Sequence, residues 1–196
     1  GQVYDRELQD AARAIETYTS ILDMDPDDLD ALQALDRLYL QTEHWYDLLN
    51  VLERQTELSS SSAEVVSLRY RIGELWSDKL KDASRATEAY QRVLAMDPAH
   101  EPTLKALEGM MQRGEEPIAA AEVLLPVFEG AGDWRKVAAV YEVMVANMQE
   151  PMRRVELLDL LAKLHESRLN DFDGAFDAYC RALRVDPSNQ DVIAHI

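Results

Sequence analysis

The residues whose types and spacing could do chemistry gather first at Asp23, Asp25, Asp27, Asp28 and Asp30. Alternating carboxylates of this kind supply the first ligands of a calcium loop. Counted from Asp23, the sixth place is Asp28, where that loop needs Gly. The twelfth is Ala34, where it needs a bidentate Glu. The run therefore reads as one helix stopping and the next starting, because Asp suits turns and the positive end of a helix. His44, His100, His165 and His195 have no metal-ligating neighbour four residues on, and no HExxH occurs. Gly130 and Gly132 belong to no phosphate loop. Cys180 is the single cysteine, so the chain holds no intrachain disulfide and no cysteine metal site. Beside Tyr179 it reads as a structural thiol. No Ser/His/Asp or Cys/His order stands out. The expectation is a non-catalytic chain with no cofactor and no metal.

Charge narrows the partner. The 37 Asp and Glu outnumber the 20 Lys and Arg, for a net charge of −17. Nucleic acid or an anionic membrane needs a basic surface, so neither is expected. A basic protein partner is compatible with the balance. No apolar run reaches a spanning length, so no membrane insertion is expected. No signal peptide is visible, and a soluble, cytoplasmic protein is the default expectation. Trp45, Trp76 and Trp134 sit at helical core spacing and read as packing rather than as a stacking platform.

The elements that would position a surface are set by one stretch occurring three times: Leu8 to Pro26, Leu80 to Pro98 and Leu169 to Pro187. Without gaps the copies agree at Leu8/Leu80/Leu169, Asp10/Asp82/Asp171, Ala14/Ala86/Ala175 and Tyr18/Tyr90/Tyr179. They agree again at Leu22/Leu94/Leu183, Asp25/Asp97/Asp186 and Pro26/Pro98/Pro187. Each copy predicts a helix capped by its Asp. Ala86, Tyr90, Val93 and Leu94 fall on one face. Ala lets a neighbouring helix approach, and Tyr fills the space beside it. Asp-Pro ends the helix, because Pro disfavours helical geometry in the residue before it. With only 7 Gly and 7 Pro in 196 residues, the whole chain reads as all-α.

This pattern resembles the second helix of the tetratricopeptide repeat (TPR) family: Ala, an aromatic four on, a small or apolar residue three later, then Pro. Ala14-Tyr18-Ile21-Pro26, Ala86-Tyr90-Val93-Pro98 and Ala175-Tyr179-Ala182-Pro187 carry it. The family's first helix is matched by Ile72, Gly73 and Trp76. Leu32, Leu35 and Tyr39 match it with Asp36 in the Gly place, and Leu161, Ala162 and His165 match more loosely. The resemblance implies a right-handed alpha-alpha superhelix of about ten to eleven helices, residues 1–196 forming one array. Val3 to Leu8 aligns with the tail of a first-type helix, with Tyr4 in the place of Trp76. Ser188 to Ile196 begins another, with Ile193 and Ile196 in the places of Leu32 and Leu35. Both ends therefore read as cut from a longer, bacterial-type array.

Spacing adds one irregularity. The first two copies are 72 residues apart and the last two 89, and Trp45/Trp134, Leu68/Leu157 and Leu75/Leu164 are also 89 apart. The excess predicts one extra helix near 115–129, with Ala120, Leu124 and Val127 on a second-type face and Pro126 shortening or kinking it. The helix from Asp133 to Met148 is then expected to be unpaired.

In the family the first-type helices line a concave groove that binds a peptide. Here they would present Asp30, Gln33, Arg37 and Gln41, then Ser67, Tyr70, Glu74 and Asp78. Lys105, Gln112 and Arg113 follow, then Glu156, Asp159, Lys163 and Glu166. Arg37, Lys105 and Lys163 stand one to a helix, which does not resemble the family's carboxylate clamp. The functional expectation is a protein-interaction scaffold whose acidic groove takes a peptide or partner helix. Two alternatives are a spacer that self-associates end to end through Tyr4 and Ile193, and the substrate-recruiting part of a larger enzyme or regulatory protein.

Overall fold

In a computed structural model, which describes residues 2–195 and the side chains of 10–195, the chain is all-helical. Among the described residues there are eleven α-helices and no strand. They form two compact units, Gly1–Pro98 and Ala99–Ile196.

The first unit holds α1 (Gln2–Met24), α2 (Leu29–Gln41), α3 (Trp45–Leu58), α4 (Ser62–Glu74) and α5 (Ala83–Met96). Each helix packs on the next in sequence, as short connections require. Asp28 caps α2 by accepting the Ala31 N–H at 2.8 Å. Ser61 caps α4 by accepting the Glu64 N–H. Leu32, Leu35, Leu48, Leu52, Leu68, Ile72 and Leu75 make one core, each burial contributing about 1.5–3 kcal/mol. Tyr18, Trp45 and Trp76 pack against that core from partly buried places. After α4 the backbone widens into a π-helical turn, Leu75–Lys79, with Leu80 N–H donating to Leu75 C=O at 2.9 Å. Lys81 then takes φ +56° and Asp82 opens α5 by capping Arg85 N–H.

Gly73 shows why the first-type helix needs a small residue. A Cβ there would clash with Cε1 and Cδ1 at the edge of the Tyr90 ring, which fills the α4–α5 seam.

The second unit holds α6 (Glu101–Arg113), α7 (Pro117–Ala131), α8 (Trp134–Asn147), α9 (Pro151–Leu164), α10 (Phe172–Val185) and the short α11 (Gln190–Ile193). Its core includes Leu107, Met110, Leu124, Phe128, Val137, Val140, Leu157, Leu158, Leu161 and Tyr179. Shifted by 89 residues, it repeats the first unit in detail. The π turn recurs at His165–Leu169 and the left-handed residue at Asn170 (φ +51°). The cap recurs at Asp171, which accepts Gly174 N–H at 3.0 Å. Trp45 lies under Lys79, 5.0 Å from the ring centre. Its counterpart Trp134 lies under Arg168, at 4.7 Å. The three tryptophans are thus half-buried lids rather than full core residues, Trp76 being covered by Arg85.

Three expectations change. Asp10 is not a cap, because α1 runs without a break from Gln2 to Met24. The left-handed residue that precedes the cap in the other copies has no counterpart at Gln9, and Ala11 and Ala12 favour continuation. The helix near 115–129 exists as α7, but its buried residues are Ala120, Ala121, Leu124 and Phe128. These match Ala31, Leu32, Leu35 and Tyr39 of α2, so its face is first-type. Pro126 is exposed and does not shorten it, and Gly132 (φ +70°) ends it where Glu43 (φ +59°) follows α2. Finally, α8 packs against both α7 and α9 and is not unpaired.

Candidate partner-binding faces

In the first unit, the face between α2 and α4 is a cleft of about 250 Å³ lined by Leu40, Leu48, Arg71, Glu74, Leu75, Asp78 and Lys79. Three leucines make it apolar. Leu40 stands at its edge 49% exposed. Two cations at the cleft are already engaged. Arg71 donates twice to Asp36, Nη1 to Oδ2 at 2.8 Å and Nη2 to Oδ1 at 2.6 Å. Lys79 lies over Trp45. Glu74 and Asp78 form no salt bridge among the described residues, and with Arg71 bound to Asp36 they outnumber Lys79, the one lining cation that no carboxylate holds. Their field shows on Tyr70, one turn before Glu74. Burial first, then Glu74 and Asp78, push its phenol up to about 12.

The structure places Glu74 and Asp78 in one cleft and Tyr70 beside them, half-buried with its ring 5.9 Å from that of Tyr90. Asp30, Gln33, Arg37, Gln41 and Ser67 are exposed on the same two helices but line no cleft described here. Leu40, Asp36 and Arg71 belong to the site and were not anticipated. The first-helix pattern had put Asp36 in the Gly place, but nothing in the spacing ties it to Arg71.

In the second unit the first-type helices are α7 and α9. Glu156, Asp159, Lys163 and Glu166 lie along α9 and its π turn. Glu156 pairs with Arg153 at 2.6 Å and Asp159 with Lys163 at 2.7 Å. Asp159 Oδ1 is buried with no hydrogen-bond partner. Glu166 accepts the Tyr179 hydroxyl at 3.4 Å, and burial, then Glu166 and Asp159, push that phenol up to about 12. Lys105, Gln112 and Arg113 belong to α6, whose buried Thr103, Leu107 and Met110 occupy the places of Ala14, Tyr18 and Ile21. By that match α6 is second-type. Lys105 pairs with Glu101 at 3.0 Å. Arg113 holds Glu115 through two bonds of 2.9 and 2.8 Å. Gln112 lines a separate cleft over Phe128 and Val140. The residues of α7 that take the first-type face instead include Glu122 and Glu129, both exposed. The 89-residue shift, carried back from Trp134 to Phe128, was the signal for them.

His165 is a packed imidazole, its Nδ1 2.9 Å from Asp171 Oδ2. Among the described residues no His, Cys, Asp and Glu cluster could hold a metal ion. No helix is long and apolar enough to cross a membrane.

No protein-family model matches the chain, and no curated protein matches it. Among solved structures it is similar to MamA, at 18% identity over 96% of this chain and 89% of that one, with a TM-score of 0.38. It is similar to YrrB, described as a TPR protein with an unusual peptide-binding site, at 13% identity over 97% and 85%, with a TM-score of 0.36. A thermophilic TPR protein of Thermus thermophilus matches at 17% identity over 98% and 92%, with a TM-score of 0.34. At these scores the likenesses carry no weight. The TPR-like character of the chain rests on its own helix pairs and on the aligned Ala, Tyr and Pro residues.

Proposed function

We propose that this TPR-like repeat protein is a non-catalytic scaffold that binds a basic-aliphatic segment of another protein, with the α2–α4 cleft as its working surface. The reading rests on one observation. The cleft has an apolar floor of Leu40, Leu48 and Leu75, and Glu74 and Asp78 outnumber Lys79 there, since Arg71 is held by Asp36. An aliphatic side chain of the partner would cover the leucines, and a Lys or Arg beside it would meet the two carboxylates. The exposed Glu122 and Glu129 of α7 extend the same preference to the second unit, and residues 1–196 act as one array.

The test is fluorescence anisotropy with labelled Lys/Leu peptides and their Glu/Leu counterparts. The Lys/Leu set is expected to bind, and binding should weaken with salt, since exposed charges are screened. Each rim carboxylate contributes up to about 1 kcal/mol, so Glu74→Lys with Asp78→Lys should cost roughly 10-fold or more in affinity. Equal binding of both peptide sets, or unchanged affinity in the double variant, would reject the reading.

A second reading, end-to-end association, is favoured by Phe172, Phe176 and Ile193, which are 65%, 56% and 45% exposed. Tyr4, the other residue invoked for it, has a side chain outside the described residues. Sedimentation of the chain against a Phe172→Ser, Phe176→Ser, Ile193→Ser variant decides it. A strictly monomeric parent chain at high concentration removes it.

A further inference from the structure

A second cleft in the first unit, about 310 Å³, opens between α3, α4 and α5 and shares no lining residue with the first. Ile72 and Ala89 form its apolar part, Glu53, Arg69 and Arg92 its charged part, with Thr56 and Glu57 at its side. Thr56 is turned to its own helix, donating to Leu52 C=O, and Glu57 is held by Arg54 at 2.6 Å.

Arg69 is out of place there. It stands three residues before Ile72, the position that is Leu32 in α2, Ala121 in α7 and Leu158 in α9. Those three are 2%, 0% and 1% exposed. Arg69 is half-buried, and its side chain makes no hydrogen bond, ion pair or ring contact among the described residues. The second unit fills the same space differently. Leu158 is buried in the place of Arg69, Val145 replaces Thr56 and Ala146 replaces Glu57. Over them Arg181 and Glu142, the counterparts of Arg92 and Glu53, close a two-bond ion pair at 2.7 and 2.7 Å. In the first unit Arg92 and Glu53 stand apart, forming no ion pair. Even if they paired, Arg69 would remain a surplus guanidinium at a core position, in a chain with an excess of 37 acids over 20 bases.

We propose that this cleft is a binding site for an oxyanion on a short aliphatic stem, namely the carboxylate of an acidic side chain on a partner protein. A planar guanidinium pairs with a carboxylate through two parallel hydrogen bonds. Arg69 and Arg92 supply the donors, and Ile72 and Ala89 take the stem. The site goes beyond the α2–α4 reading and takes the opposite charge.

The test is arginine Nε–Hε NMR on the whole chain, titrated with butyrate, with butyramide as the neutral control. The Arg69 and Arg92 signals are expected to move saturably with butyrate and not with butyramide. Arg135 and Arg184, also without side-chain partners among the described residues, serve as internal controls and should move little. Charge-assisted hydrogen bonds of this kind are worth roughly 10-fold or more in affinity, so Arg69→Leu should weaken the Arg92 response by at least that factor. That variant installs the second unit's residue, and a helical circular dichroism spectrum checks its folding. Responses equal to those of Arg135 and Arg184, or an Arg92 response that survives Arg69→Leu, would overturn the proposal. Saturation by methyl phosphate but not butyrate would also overturn the carboxylate assignment, in favour of a phosphorylated side chain. None of these outcomes depends on Glu74 or Asp78, so this proposal and the α2–α4 reading fail separately.

Discussion

The Asp36–Arg71 pair beneath the α2–α4 cleft gives a measurable test of how that site is held. The perturbation is a cycle of Asp36→Leu, Arg71→Leu and both together. The side chains are 13% and 35% exposed, and two bonds of 2.6 and 2.8 Å join them. The Asp36 side holds the Arg71 guanidinium above its ordinary pKa, chiefly through those hydrogen bonds. Hydrogen bonds to charged groups contribute about 1.5–3 kcal/mol. Arg71 keeps access to water once Asp36 is gone, so Asp36→Leu should cost about 2 kcal/mol, below the 3–5 of a fully buried broken pair. Arg71→Leu strands the less exposed Asp36 and should cost about 3 kcal/mol. The double variant is what the second unit carries, Leu125 and Leu160. It should lie within about 1 kcal/mol of the parent, because an apolar replacement of a buried pair is often neutral. The assay is urea unfolding followed by tryptophan fluorescence in a Trp134→Phe background, so that the signal comes from Trp45 and Trp76. Single effects that simply add in the double variant, or an Asp36→Leu change within error of zero, would refute the reasoning.

Gly73→Ala should destabilise the first unit by up to about 2 kcal/mol, since overpacking against the Tyr90 ring costs about 1–3 and a helical Ala returns about 1; the same urea titration reads it. Asp82→Ala should cost about 1 kcal/mol by loss of the α5 cap, and Asp171→Ala should act in the same direction. Asp10→Ala should change nothing, despite its identical place in the repeat. The Asp171 carboxyl lies below its ordinary pKa, through the Gly174 N–H first and His165 next. Its contribution is therefore present above roughly pH 4, and fades as the pH falls through the lowered value, an effect Asp171→Asn should remove. Ultraviolet titration should find two phenols, Tyr70 and Tyr179, ionising near about 12, and Glu74→Gln should lower the first. Because the folded state holds those protons more tightly, stability should fall as pH rises from about 10 towards 12.

The helices were legible because each is over-determined. Ala86 and Tyr90 set the buried face, Asp82 the start and Asp97-Pro98 the stop, and three copies repeat the arrangement. Asp10 misled because cap chemistry needs a break before it. That break comes from Lys81 or Asn170 in the left-handed region, which no residue type at Gln9 announces. The face of α7 misled for a geometric reason. Ala120-Leu124-Val127 (i, i+4, i+7) and Ala121-Leu124-Phe128 (i, i+3, i+7) share Leu124, and both satisfy a helical period. Only the match of Tyr39-to-Trp45 with Phe128-to-Trp134 separates them. The Asp36–Arg71 pair was hidden because a carboxylate on one helix and a guanidinium on another, 35 residues away, leave no periodic trace.

The 89-residue shift also decides which surfaces can be compared. Shifting by 89 residues brings α2 to α5 onto α7 to α10, with the same order of packing partners and the same π turn. Residues that differ across that shift are free of the fold's demands, since the fold is already satisfied by the other choice. Leu125, Leu158 and Leu160 show that packing does not require Asp36, Arg69 or Arg71. Conversely Trp45 and Trp134, Asp82 and Asp171, and Tyr90 and Tyr179 are the same residue in both units and belong to the scaffold. The charges peculiar to the first unit are therefore the ones to attribute to binding, and each has a counterpart in the second unit that names the substitution least likely to unfold it. Arg69→Leu separates binding from stability for that reason, whereas a change at Tyr90 would confound the two.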